Sequence, residues 1–138
     1  MKVMFVCLGN ICRSPMAQYI FQSLDVHNKF DVSSSGLSNE EYGSDIYPPA
    51  KDILYKNNIK IDNHFAHKIT KEEFDESDYI IVLEDYHKDK LITMFGDKKK
   101  IIKLTENDIE DPWYTNNFEK VYNEIYEGCK RLYEKIGE

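Results

Sequence analysis

Cysteine is scarce in this chain, at three residues in 138. An odd set with no scaffold-like spacing excludes a disulfide-stapled fold and points to a reducing cytoplasm. Cys7 and Cys12 have no matching Cys/His pair downstream, so the four-ligand spacing that zinc demands is missing. No metal and no cofactor are expected. Long apolar runs are also lacking. Val3 to Leu8, with only Lys2 before it, is far too short for a membrane span or a secretory signal. Basic charge is short as well, with 18 Lys+Arg against 25 Asp+Glu and a formal net charge of −7. Phosphate-backbone affinity is built from Lys and Arg, so a nucleic-acid partner is excluded. The densest basic run, Lys98-Lys99-Lys100, reads as a solvated strand edge or turn. Repeats, low-complexity stretches and linkers are absent, which leaves one domain over residues 1–138.

What is present alternates between strand and helix signals. Lys2 to Val6 is a short run of strand formers that stops at Gly9-Asn10. Ser14 reads as a helix cap and Pro15 as the first helical residue, where its missing N–H costs nothing. Met16, Tyr19, Ile20 and Leu24 give that helix an apolar face. Phe30-Asp31-Val32 predicts a second strand that runs into a Ser33-Ser34-Ser35-Gly36 loop. Pro48-Pro49 opens a second helix, and Thr70 with Glu73 forms a capping box for a third. Tyr79 to Leu83 is the most apolar segment and predicts a central strand covered on both faces. Asp85 to Phe95 predicts a helix, Ile101-Ile102 with Leu104 a fourth strand, and Phe118 to Ile136 a long amphipathic helix. The order β-α-β-α-α-β-α-β-α implies an α/β domain with a parallel sheet and helices on both faces.

In such a sheet, ligands sit beyond the carboxyl ends of the strands. There, residues 6–15 read VCLGNICRSP. A cysteine, five residues and an arginine lead directly into a helix, so loop N–H groups and the helix N-terminus converge on one point, an anion site. Gly9 lets the backbone approach closely, and Asn10 tolerates a left-handed turn. The same positive potential favours the Cys7 thiolate, the nucleophilic form. Arg13 offers a bidentate fork to an oxyanion, and Ser14 a hydroxyl to the sulfur. These parts suggest phosphoryl transfer from a monoester to sulfur.

Expelling an alkoxide or phenoxide needs a proton donor. Glu106, Asp108, Glu110 and Asp111 follow the fourth strand, and only Asp111 stands before a proline that fixes the turn. Trp113 and Tyr114 follow it and are able to wall an aromatic leaving group.

With VCLGNICRSP, HFAHKIT at 64–70 and DPWY at 111–114, supported by SSG at 34–36 and YIIVLED at 79–85, the sequence resembles the low-molecular-weight protein tyrosine phosphatases. The resemblance implies a four-stranded parallel sheet, a phosphate-binding loop of Leu8, Gly9, Asn10, Ile11, Cys12 and Ser14, and metal-independent chemistry. Cys7 would be the nucleophile, Arg13 the oxyanion clamp and Asp111 the acid and base. Cys12 would be a redox partner for Cys7, and His64 with Glu84 a buried structural polar pair. Tyr42 would join Trp113 and Tyr114 in the substrate wall, with Glu40-Glu41 making the entrance acidic. His27, His67 and His87 read as surface residues. The implied partners are a phosphotyrosine protein or a small phosphomonoester, with inorganic phosphate as product and inhibitor. One alternative is a thiol-dependent arsenate reductase of the same fold, which needs further cysteines near residues 80–90, where VLEDYHKDKL has none. The other is a non-catalytic phosphate-binding module, although Cys7, Arg13 and Asp111 are all kept.

Overall fold

The computed structural model describes residues 1–137; Glu138, the last residue of the expected domain, lies outside the described residues. Strand β1 (Lys2–Cys7) occupies the interior of a four-stranded sheet of order β2-β1-β3-β4, with β2 Asp31–Gly36, β3 Tyr79–Val82 and β4 Ile101–Lys103. All three pairings are parallel, with Cys7 opposite Gly36 and Val6 opposite Val82. The helices are α1 (Arg13–Leu24), α2 (Pro48–Lys56), α3 (Lys71–Glu76), α4 (Asp85–Phe95), α5 (Pro112–Thr115) and α6 (Phe118–Ile136).

The two-residue period of the strands divides the core. Val3, Phe5, Cys7, Ile81 and Leu83 face one layer, where α1, α2 and α6 deliver Met16, Ile20, Leu54, Val121 and Ile125. Met4, Val6, Ile80 and Val82 face the other, with Phe74 of α3 and Leu91 of α4. Each of the two interior strands is therefore apolar on both sides, as the YIIVL run predicts. Thr70 and Glu73 form the expected capping box of α3. No helix among the described residues is long and apolar enough to cross a membrane.

The chain leaves β1 toward β2 on one side and returns to β3 on the other. The loops after β1 and β3 thus diverge and open a crevice at the carboxyl edge. Four local expectations need correction. Ser33-Ser34-Ser35-Gly36 is not a loop but the body of β2, because its small residues pair in full register with β1. Cys12, not Ser14, occupies the cap position of α1, and Pro15 falls third in the helix. Ser14 is drawn inward instead, toward Cys7. Asp111-Pro112 starts a short helix, α5, that the strand-and-helix count omits. His87 is fully buried under Leu83, not at the surface.

Candidate active site

The loop between β1 and α1 is held from outside by its carbonyls. Cys7 O and Leu8 O both accept from Leu37 N at 2.9 Å, Ile11 O from Tyr47 N at 2.8 Å and Cys12 O from Met16 N at 3.0 Å. Asn10 O accepts from His64 Nε2 at 2.6 Å. With the carbonyls turned outward, the amides turn inward. Among the described residues, none of the N–H groups of Leu8, Gly9, Asn10, Ile11 and Cys12 has a protein acceptor. Five successive N–H groups without a protein acceptor, leading into the N-terminus of α1, mark an anion cradle.

Asn10 sets the curvature, with a φ of 60° that few non-glycine residues tolerate. Its buried side chain donates to Ser14 Oγ at 2.8 Å and to Ser34 Oγ at 3.0 Å, and accepts from His67 N at 3.3 Å. Ser34 Oγ in turn donates to Gln18 Oε1 at 2.6 Å. The tightest packing of the protein against the loop falls on Gly36. A Cβ there would lie 2.9 Å from Leu8 O, whereas one on Gly9 would find its nearest neighbour, Glu41 Cγ, at 3.6 Å.

Cys7 Sγ lies at the base, 3.0 Å from Ser14 Oγ and 3.4 Å from Ser14 N. Arg13 is 2 % exposed, and its Nη1 donates to Glu84 and, at 2.8 Å, to Ile109 O. Nη2 lies 3.6 Å from Asp111 Oδ2. With Nη1 engaged, the Nε and Nη2 edge is the fork left for two oxyanion oxygens. Burial works against the Arg13 charge, but Cys7, the Glu84 hydrogen bond and Asp111 outweigh it and raise its pKa. Burial, chiefly, pushes the Cys12 thiol up, helped by the charges of Cys7 and Asp111.

The acidic run after β4 separates by partner. Asp108 is held by Lys103 at 2.6 Å and by Asp85 N, and Glu110 is tied to Lys120 and Asn117. Asp111 alone shares the cleft of about 180 Å³ with Cys7 and Arg13. It caps α5 through Trp113 N at 3.0 Å, which fixes one carboxylate oxygen and leaves the other beside Arg13. Trp113 and Tyr114 line the same cleft, and Tyr47 backs Trp113 with ring centroids 4.6 Å apart.

Two expectations fail here. Tyr42 is not a cleft wall: its ring turns out of the cleft and packs edge-on against Phe65 at 5.3 Å, and Ser38, Glu40 and Glu41 take that side. His64 and Glu84 are not a pair either. His64 supports the loop carbonyl of Asn10, while Glu84 engages Arg13 and lies 3.5 Å from His87 Nε2. Their elements enter the crevice from different sides, so each finds its own partner. Sequence reasoning missed Ser34 and Gln18 behind Asn10, Ile109 O on Arg13, and Gly36. The three-serine run held the signal, since polar residues at strand positions need partners.

Comparisons with known proteins agree with one another. A family profile described as "Low molecular weight phosphotyrosine protein phosphatase" matches residues 2–138. The chain is 34% identical to the low molecular weight protein-tyrosine-phosphatase YfkJ of Bacillus subtilis, over 98% of this chain and 95% of that one. It is 36% identical to the low molecular weight phosphotyrosine protein phosphatase of Gallus gallus, covering 97% and 94% of the two chains. The crystal structure of SP-PTP, a low molecular weight protein tyrosine phosphatase from Streptococcus pyogenes, superposes with a TM-score of 0.94 at 35% identity, over 98% of this chain and 92% of that one.

Proposed function

The chain belongs to the low molecular weight phosphotyrosine protein phosphatase family, and from that premise we propose that it hydrolyses phosphotyrosine-type phosphomonoesters through a phosphocysteine intermediate. The observation that carries the reading is the ring of unengaged loop N–H groups beside the free edge of Arg13, with the Cys7 sulfur at its base. A phosphoryl dianion satisfies both sets of donors at once, and most strongly as charge moves onto its oxygens in the transition state.

In the first step Cys7 Sγ bonds to phosphorus as the opposite P–O bond breaks, and Asp111 gives its proton to the departing oxygen. In the second step Asp111 takes a proton from water. The water oxygen bonds to phosphorus, the S–P bond breaks, and the thiolate returns. Inorganic phosphate is the product and, fitting the same donors, an inhibitor. The Ser14 hydroxyl at 3.0 Å from sulfur stabilises the thiolate as nucleophile and as leaving group. Asn10 keeps the loop curved. Trp113 and Tyr114 favour an aromatic leaving group, whether in a protein or in a small aryl phosphate. The positive potential comes from backbone and Arg13, so the scheme needs no metal.

Cys12 fits a protective role. Peroxide converts the Cys7 thiolate to a sulfenic acid; the Cys12 sulfur attacks it, a disulfide forms and water leaves. All three cysteines are free thiols in the resting protein, a state suited to the cytoplasm.

Hydrolysis of p-nitrophenyl phosphate, with reductant and a metal chelator present, tests the reading. Cys7→Ser must abolish turnover; activity that survives it, or that the chelator removes, sinks the mechanism.

A further inference from the structure

Six carboxylates line the two cavities that meet at the Cys7 loop: Glu40, Glu41, Glu84, Asp108, Glu110 and Asp111. Four of them have cationic partners. Glu84 and Asp111 face Arg13, Asp108 faces Lys103 and Glu110 faces Lys120. Among the described residues, Glu40 and Glu41 form no ion pair.

Their position gives this weight. Both belong to the wall of the phosphate cleft, on the β2 side of the loop. Glu41 lies over the loop itself, with its Cγ 3.6 Å from where a Cβ on Gly9 would stand. Ser44 Oγ, 3.3 Å from Glu41 Oε2, steadies the carboxylate there. Its charge reaches the loop: after burial and the larger effects of Cys7 and Asp111, Glu41 also contributes to raising the Cys12 thiol. Three carboxylates and one guanidinium line the cleft, and that guanidinium is already shared with Glu84 and Asp111. Beyond the positive loop and Arg13, the rim therefore carries the uncompensated negative charge of Glu40 and Glu41. A substrate that carries its own cation beside the phosphate meets both demands, phosphate on the loop and cation on the rim.

We propose that Glu40 and Glu41 select aryl-phosphate substrates with a lysine or arginine within one or two residues of the phosphorylated tyrosine. This rests on the phosphatase reading above and specifies its substrate class. The opposite wall, Trp113 and Tyr114, holds the ring, so discrimination by charge belongs to the β2 side.

The experiment compares kcat/KM for two phosphotyrosine peptides that differ only in flanking residues, lysines in one and glutamates in the other. Wild-type protein at low salt should favour the basic peptide by about tenfold, as two partly exposed ion pairs allow, and lose most of that in high salt. Glu40→Gln/Glu41→Gln should bring the two rates to within about twofold, and Glu40→Lys/Glu41→Lys should invert the order. Equal rates in the wild type, or a preference that all variants retain, overturn the proposal. Turnover of p-nitrophenyl phosphate, measured alongside, separates the two readings. Its absence in the wild type sinks the phosphatase assignment and this inference with it, whereas its presence with equal peptide rates overturns this inference alone.

Discussion

Glu84, between β3 and α4, accepts a hydrogen bond from Arg13, in the first turn of α1, so one carboxylate fixes the plane of the guanidinium from across the crevice. The same Nη1 also donates to Ile109 O at 2.8 Å. The Nε and Nη2 edge is thereby presented to the loop before any ligand arrives. Preorganised donors of this kind lower the barrier because nothing has to move during the reaction.

Removing that carboxylate should separate binding from chemistry. Glu84→Ala leaves a buried guanidinium short of a partner and free to rotate. Phosphate inhibition should weaken by about tenfold, and the fold should lose about 2 kcal/mol, as expected for breaking a mostly buried ion pair. Product-inhibition kinetics and calorimetric melting measure the two effects. Unchanged values for both would remove Glu84 from any role at Arg13.

Asp111 should act on the leaving group. Asp111→Asn keeps an acceptor for Trp113 N but cannot deliver a proton. Turnover of poor alkyl leaving groups should fall by about 10²–10³, and that of p-nitrophenol far less. Equal losses on both would identify a different acid.

His87 makes stability depend on pH. Burial, with the nearby Arg13 charge, lowers its pKa from 6.5 to about 3. Between those values the unfolded chain holds the proton and the folded one does not. Stability is therefore complete above pH 6.5 and falls as the pH drops toward 3, by on the order of 5 kcal/mol in total. In His87→Asn, Oδ1 can still accept from Leu83 N in place of Nδ1, but nothing titrates. Denaturant unfolding at pH 7 and pH 4.5 should show a smaller difference for the variant than for the wild type.

Phosphate should stabilise the fold through the loop amides. At a concentration one hundred times its dissociation constant, it should add about 2.7 kcal/mol to unfolding, because only the folded loop gathers the donors. A melting series against chloride at equal ionic strength tests this; identical curves would mean that the loop is not an anion cradle.

Gly36→Ala should leave the sheet intact but displace the loop. Its Cβ would press on Leu8 O at 2.9 Å and on Asn10 Cβ at 3.2 Å, backbone and a buried side chain that cannot swing aside. A fall in kcat/KM of about tenfold is expected, with far-ultraviolet dichroism unchanged, since small shifts of positioned groups are costly to rate.

The reading from sequence succeeded where local chemistry decides the outcome. VCLGNICRSP carries its strand end and left-handed asparagine within ten residues, and the structure agrees on both, while the helix begins two residues earlier than Pro15. YIIVL and the α6 stripe declare their burial by composition and period. It failed where an outcome depends on residues far apart in the chain. Nothing near Glu84 reveals Arg13, 71 positions earlier, as its partner. Three serines carry little strand preference of their own, and only pairing with β1 and the needs of Asn10 make them a strand. Tyr42 was assigned by side-chain type, but Phe65, brought in by a later loop, offers it a better surface.

Arg13 also knots together the ends of three strands: its backbone follows β1, its Nη1 holds Glu84 after β3, and it reaches Ile109 and Asp111 after β4. Variation at this position is thus filtered twice, once by turnover and once by whether the crevice closes at all. A library sorted only for protein abundance, with no catalytic selection, should still retain arginine there.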